Sequence, residues 1–320
     1  MSTAPAPSST AHNAAVVKTV FIVNPASGNA TTGRLWDELS GRIRGLGLEH
    51  EALMTHAPGD ATELAARAIA EGADTVVAVG GDGTINEVAN GFFTDGVDTS
   101  KAALGVLPMG TGGDFRRTVG IPDEFEAAIR SLSAKNLRQV DAGRIEMRDL
   151  EGAPLIRHFV NIADAGIGGV VVERVNRTSK LFGGRVSFQY AAMMTLLSFK
   201  PPEVLVESAE DRFEGRAQNV VVANCQYFGG SMHVAPAALP DDGLLDIVVF
   251  GDIARFEAIR SINDIYSAKH LQNPKVRGWR SAEVKVTSPE RVLIDVDGEM
   301  CGTLPATFTV LPLALRLVVP

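Results

Sequence analysis

Apolar and polar positions follow two different rhythms along the chain. Up to about residue 143, strand-length apolar runs are followed by glycine-rich turns and then by stretches with helical spacing. Residues 19–23 form such a run, closed by Asn24-Pro25, and residues 33–46 place Leu35, Trp36, Leu39, Ile43 and Leu46 at helical intervals. A weaker second strand is predicted over 49–55. Asp60 and Glu63 have capping-box spacing, in which one side chain accepts from orphan N–H groups and the other reaches back. The pattern therefore predicts a helix starting at Asp60, with Leu64, Ala65, Ala68 and Ile69 on its apolar face and Gly72 at its end. Residues 75–79 are almost wholly apolar, as a central parallel strand covered on both faces must be. A strand over 103–107 and a helix over 124–132 continue the order, which predicts an α/β domain built on a parallel sheet. In such a sheet the functional loops leave the carboxyl ends of the strands.

The rhythm changes over 139–144. Short strands are predicted over 158–162, 204–207, 220–225, 245–250 and 292–296, separated by Gly, Pro and Asp turns. That spacing predicts a mostly antiparallel, β-sandwich-like second domain, interrupted by helical insertions near 187–198 and 255–266. The resulting division is a flexible tail over 1–17, a first domain over 18–143, a β-rich domain over 144–305 and a closing strand segment over 306–320.

Composition narrows the function classes. Among 320 residues, 45% hydrophobic and 21% charged suits a globular protein large enough for two cores. A net charge of -8 disfavours nucleic acid as a partner. Cys225 and Cys301 are the only cysteines, so neither a disulfide framework nor a clustered Cys/His metal site is expected, and a reducing, cytoplasmic location is. Residues 1–15 lack the basic and apolar regions of a signal peptide, and no apolar run reaches the ~18 residues of a membrane-spanning helix. Any lipid contact is therefore expected to be peripheral. The basic stretches are residues 177–185, which lead into an apolar helical segment ending at Lys200, and Lys269, Lys275, Arg277 and Arg280 around Trp279. Packing and solvation are the ordinary roles of such segments, with anionic headgroup contact as the alternative.

Three loops carry candidate chemistry. Asn24-Pro25-Ala26-Ser27-Gly28 joins the first strand to the first helix, and its small residues let backbone N–H groups approach an anion. Gly80-Gly81-Asp82-Gly83-Thr84-Ile85-Asn86-Glu87-Val88 follows the buried third strand and sets one carboxylate among three glycines, where it can meet a cation beside a phosphate. Pro108-Met109-Gly110-Thr111-Gly112-Gly113-Asp114-Phe115 adds a third glycine-rich turn with a carboxylate at the same sheet edge. Three such loops converging suit a nucleoside triphosphate.

These motifs, with Leu239-Pro240-Asp241-Asp242-Gly243-Leu244-Leu245-Asp246, Asp297-Gly298-Glu299 and the closing segment 312–320, resemble the catalytic domain of the diacylglycerol kinase family, which includes sphingosine and ceramide kinases and bacterial soluble lipid kinases. The resemblance covers all but residues 1 to about 17. It implies an ATP- and Mg2+-dependent lipid kinase with a diacylglycerol-like acceptor taken from a membrane surface, and a last strand that returns to the first domain. By the same resemblance, Asn24, Pro25, Ala26, Ser27, Gly28, Thr55, Gly81, Asp82, Gly83, Thr84, Ile85, Asn86, Glu87 and Thr111 match positions that hold ATP. Asp82, Asp114 and Asp141 match carboxylates of a catalytic magnesium network. Asp242, with the carbonyls of Leu239 and Leu244, matches a structural magnesium site made of oxygen ligands. Glu299 matches the proton acceptor for the lipid hydroxyl, and Lys180 a phosphate contact. The chain departs from the family pattern at Gly113, where Asn is usual, at Arg116-Arg117, where Ala-Arg is commoner, and at Asn29, where a basic residue is frequent. NAD kinases share a GGDGT loop and are the alternative enzyme. A nucleotide- or lipid-binding sensor without catalysis is the alternative of another class.

Overall fold

The computed structural model describes residues 18–320 apart from 96–98, 100, 111, 179–193, 196–197, 255–256 and 259–261. Thr111, Lys180, the 1–17 tail and most of the 187–198 insertion lie outside the described residues.

The chain opens with β1 (Thr19–Val23), α1 (Ser27–Gly45), β2 (Glu51–Met54), α2 (Asp60–Ala70), β3 (Thr75–Gly80), α3 (Asp82–Gly91), β4 (Ala103–Pro108), α4 (Asp114–Val119) and α5 (Phe125–Ala134). β1 pairs in parallel with β2 and β3, and β3 with β4. Side chains alternate between the two faces. Val20, Ile22, Val76, Ala78, Leu104 and Val106 pack against α2 and α3 on one side. Phe21, Val23, Val77, Val79 and Leu107 pack against Trp36, Leu39 and Ile43 of α1 and Ile129 and Leu132 of α5 on the other. Parallel pairing sends the turns after β1, β3 and β4 out at one edge, which brings the three glycine-rich loops together.

The remaining elements are β5 (Asn136–Arg148), β6 (Pro154–Phe159), β7 (Ile162–Gly166), α6 (Ile167–Thr178), β8 (Glu203–Glu207), β9 (Arg212–Ala223), β10 (Tyr227–Phe228), β11 (Met232–His233), β12 (Leu245–Gly251), α7 (Ile262–Tyr266), β13 (Val276–Ser281), β14 (Glu283–Thr287), β15 (Leu293–Val296) and β16 (Glu299–Val319). Every strand pair wholly within this half is antiparallel. Its main core gathers Phe159, Val206, Val222, Ile247, Val286, Ile294 and Phe308. β5 and β16 form a long antiparallel ribbon, and the end of β16 pairs in parallel with β4 at Leu317 and Leu104. Residue 143 lies inside β5 and residue 306 inside β16, so the two halves share strands where the sequence suggested a boundary.

Two local expectations are corrected. Asp60 is the first residue of α2 and does not cap its N–H groups; Asp60 Oδ2 accepts from the N–H groups of His56 and Ala57, at 2.7 and 2.9 Å, and so fastens the preceding turn. The strand predicted over 158–162 is broken between β6 and β7, because the N–H groups of Val160, Asn161 and Ile162 all turn to the carboxylate of Asp297.

Candidate active site

The first loop is held from behind. Asn24 N donates to Val79 O at 3.0 Å, Asn24 Nδ2 donates to Thr84 Oγ1 at 3.0 Å, and Asn24 Oδ1 accepts from Ala26 N. Ser27 Oγ lies 2.8 Å from Asn24 O and 2.7 Å from Thr32 Oγ1. Gly28, Asn29 and Ala30 then take left-handed conformations before regular helix begins. Left-handed backbone at Asn29 and Ala30 costs roughly 1–2 kcal/mol per residue, and strain of this kind collects at ligand-binding turns. Gly28 is needed for a second reason, since a Cβ there would meet Met109 O of the third loop at 2.9 Å. Thr55, whose N–H donates to Val23 O, is buried beside this loop.

The second and third loops are tied by Asp82. Asp82 Oδ2 accepts from the N–H groups of Gly113 and Asp114 at 2.9 and 3.2 Å, and Oδ1 from that of Phe115 at 3.2 Å. A Cβ on Gly110 would collide with Cα of Gly81, so glycine permits the backbones to touch. Asp114 is buried, and its oxygens take the N–H groups of Gly230 and Ser231 and the guanidinium of Arg117, each at 2.8 Å. Burial pushes the Asp114 carboxyl above the usual carboxylate range and the charge of Asp82 adds to this, while those N–H groups and Arg117 pull it back. Asp82 Oδ1 and Asp114 Oδ2 each accept one of these hydrogen bonds and keep a second lone pair, and Asp82 is only half-buried.

The Asp297-Gly298-Glu299 turn reaches this edge from the other half of the molecule. Asp297 is buried with a left-handed φ of 50°. Its oxygens accept from the N–H groups of Val160, Asn161 and Ile162 and from Asn86 Nδ2, the last at 2.8 Å. Burial raises the Asp297 carboxyl to about 6 against the pull of these donors. Asn86 Nδ2 also donates to His158 O at 3.0 Å, and Asn86 Oδ1 accepts from Asn90 Nδ2. The polar atoms of the Asn86 side chain are thus engaged in locking α3 to the turn. Glu299 stands beyond the lock. Burial raises its carboxyl; Arg157, whose Nη2 lies 3.3 Å away, draws it down, and the charge of Glu87 raises it again. Glu87 itself accepts from Ala61 N at 3.1 Å.

Asp141 has hydrogen-bond partners of its own. It is fully buried, and its oxygens accept from the N–H groups of Leu313 and Gly243 at 2.7 and 2.8 Å while its own N–H donates to Pro240 O. It therefore anchors the 239–244 loop. In that loop Asp242 Oδ1 accepts from Leu244 N and Oδ2 from Arg280 Nη1 at 3.0 Å. Asp246, buried at the start of β12, feels the charge of Asp242 and leaves Oδ2 without a hydrogen-bond partner. An orphaned buried carboxylate oxygen that feels the charge of Asp242 is a donor of the kind that suits a hard cation. Among the described residues there is no group of three or more His, Cys, Asp or Glu side chains arranged for a metal.

Arg157, Asp246 and Asp297 carry weight that the sequence reading did not assign to them. The doublet Asp297-Gly298 was the available signal for the lock, because a buried Asp ahead of a left-handed Gly supplies both a turn and an acceptor. Three of the four cations of the basic stretch around Trp279 are paired within the chain: Arg277 with Asp211, Arg280 with Asp242 and Lys275 with Glu257.

Comparison with known proteins identifies the family. The diacylglycerol kinase catalytic domain model matches residues 18–145, and the YegS C-terminal NAD kinase beta sandwich-like domain model matches residues 161–319. A Bacillus subtilis protein named diacylglycerol kinase is 30% identical over 302 residues, covering 94% of this chain and 95% of the relative. The chain belongs to the diacylglycerol kinase family. It is accordingly a kinase. A Klebsiella pneumoniae protein named "Probable lipid kinase YegS-like" is 30% identical over 278 residues, covering 87% of this chain and 89% of the relative. A crystal structure of a diacylglycerol kinase from Bacillus anthracis shares the fold, with a TM-score of 0.70 at 22% identity over 95% of this chain and 97% of that one.

Proposed function

We propose that this kinase transfers the γ-phosphoryl group of ATP, in the presence of Mg2+, to a hydroxyl of a diacylglycerol-like lipid. The observation that carries the reading is the placement of Glu299: a half-buried carboxylate with a raised pKa, locked through Asp297 and Asn86 to the helix that begins in the second glycine-rich loop. Phosphoryl transfer asks a protein mainly for positioning and for charge neutralisation at the moving group. The strained turn at 28–30 and the glycine-rich loops after β3 and β4 are the positioning elements for the phosphates. Asp82 holds the second and third loops in one arrangement through its three N–H bonds.

Glu299 takes the acceptor's proton as its oxygen attacks the γ-phosphorus. Burial raises its pKa and so makes it a stronger base than a free carboxylate. Arg157 keeps it oriented from the far side. Asp82 and Asp114 would hold a magnesium ion that, when bound, would offset the triphosphate charge; Asp242, the carbonyls of Leu239 and Leu244, and Asp246 would be the oxygen donors for a second, structural ion. The acceptor comes from a membrane surface by peripheral contact, and no helix among the described residues is long and apolar enough to cross a bilayer.

A substrate panel tests the proposal. Purified full chain with ATP and Mg2+ is offered diacylglycerol in mixed micelles and, separately, NAD. Phosphatidic acid as the product supports the reading. Phosphorylated dinucleotide in its place assigns the chain to NAD kinase chemistry, and ATP binding with neither product makes it a sensor.

A further inference from the structure

The third loop departs from the family pattern at two positions that touch each other. Gly113 has a left-handed φ of 76°, and a Cβ built there would lie 2.6 Å from Nε of Arg116, 3.2 Å from its Cδ and 3.4 Å from its Cγ. The Arg116 side chain therefore occupies the space that any larger residue at 113 would claim. It folds back over the loop and lines a small opening with Gly80, Gly81, Asp82, Pro108 and Gly110. Among the described residues of that lining Arg116 is the sole cation, and it sits 14% exposed with its Nη2 2.9 Å from Asp123, whose own side chain is 74% exposed. An ion pair to so exposed a carboxylate holds a guanidinium weakly. The first loop brings no cation either, since Asn24 to Ala30 contains none.

We infer that Arg116 is a nucleotide-binding residue: its guanidinium contacts the polyphosphate of the bound nucleotide, and Gly113 is the residue that gives it room. This rests on the nucleotide reading above. A triphosphate in a glycine-rich cradle needs fixed positive charge besides a metal, and a planar guanidinium with several N–H donors meets phosphate oxygens well. Asp123 holds the side chain at the mouth of the opening until the stronger phosphate charge draws it in.

Calorimetric titration of the full chain with ATP and Mg2+, on the unmodified protein and on Arg116→Ala, Arg116→Lys, Gly113→Asn and Asp123→Ala, tests the inference. Arg116→Ala is expected to weaken ATP binding about tenfold or more, the usual loss for a hydrogen bond to a charged group, and to flatten its salt dependence. Arg116→Lys should recover part of the loss. Gly113→Asn, which tolerates the left-handed backbone but displaces the guanidinium, should lose a similar factor, with no further loss in the double variant. Asp123→Ala should bind ATP as well as the unmodified protein. Equal ATP affinity in Arg116→Ala overturns the inference alone. So does a loss in Asp123→Ala equal to that in Arg116→Ala, which makes the arginine a structural tie. An unmodified protein that binds no ATP overturns this inference and the nucleotide reading together.

Discussion

Asn86→Ala separates two roles that the residue's position allows. The resemblance places Asn86 among ATP contacts, whereas its side chain is spent on Asp297, His158 and Asn90. Truncation removes one hydrogen bond to a buried carboxylate, at 2.8 Å, and one to His158 O. The second loss is small because Asn90 Nδ2 still donates to His158 O at 3.0 Å. Asp297 keeps the N–H groups of Val160, Asn161 and Ile162, so its charge is not stranded. The expected cost is therefore that of one charge-assisted hydrogen bond and a small cavity, about 2–3 kcal/mol. Urea denaturation should show the loss as a lower midpoint at unchanged slope. With the lock gone, Glu299 is less well placed, and kcat at saturating ATP should fall at least tenfold while ATP affinity changes less than threefold. A variant with unchanged stability and kcat but much weaker ATP binding would refute the lock and restore Asn86 to the nucleotide site.

Three further outcomes follow from the same geometry. The acidic limb of the kcat/KM profile should lie above the ordinary Glu range, because burial raises the Glu299 carboxyl and only its ionised form accepts a proton; an acidic limb at or below about pH 4 would contradict this. Burial also raises Asp297 to about 6 and raises Asp164 and Asp295, which face each other across β7 and β15. Acids with raised folded pKa values hold protons longer in the folded chain, so their stabilising contribution is complete below about pH 4 and lost as pH rises through about 6 to 7. The thermal midpoint in EDTA should accordingly fall between pH 5 and 7.5, and Asp164→Asn should reduce that fall; a midpoint rising over this range would sink the argument. Magnesium should raise the thermal midpoint of the unmodified protein through the orphaned Asp246 oxygen and Asp242, and Asp242→Ala should abolish the rise. The same rise in that variant would place the ion elsewhere.

Local patterns made the first half of the fold readable. β3 is a continuous apolar run because both faces are covered, and the loops after β1, β3 and β4 carry glycines where backbones meet, as at Gly28 and Gly110. What escaped the sequence depends on partners distant along the chain. The break between β6 and β7 is made by Asp297, 137 residues beyond Val160, and no window around 160 contains it. Asp60 has capping-box spacing, yet the turn before it offered two nearer N–H groups. The tie of Asp141 to the 239–244 loop, through Gly243 N, joins residues 102 apart in sequence, and no local pattern around 141 announces it. Arg116 and Gly113 read as separate departures from a motif, and only the folded loop shows that one fills the space the other leaves.

The central claim is that this site moves the γ-phosphoryl group to a lipid hydroxyl with Glu299 as base. Its most direct test is transfer of label from γ-labelled ATP, with Mg2+, to a total bacterial lipid extract, run in parallel with Glu299→Gln. The account predicts a labelled phospholipid from the unmodified chain and a rate at least about a hundredfold lower from the variant, with ATP binding intact in both. Equal labelling by the two proteins would remove Glu299 from the chemistry, and no labelled lipid from either would contradict the lipid acceptor itself.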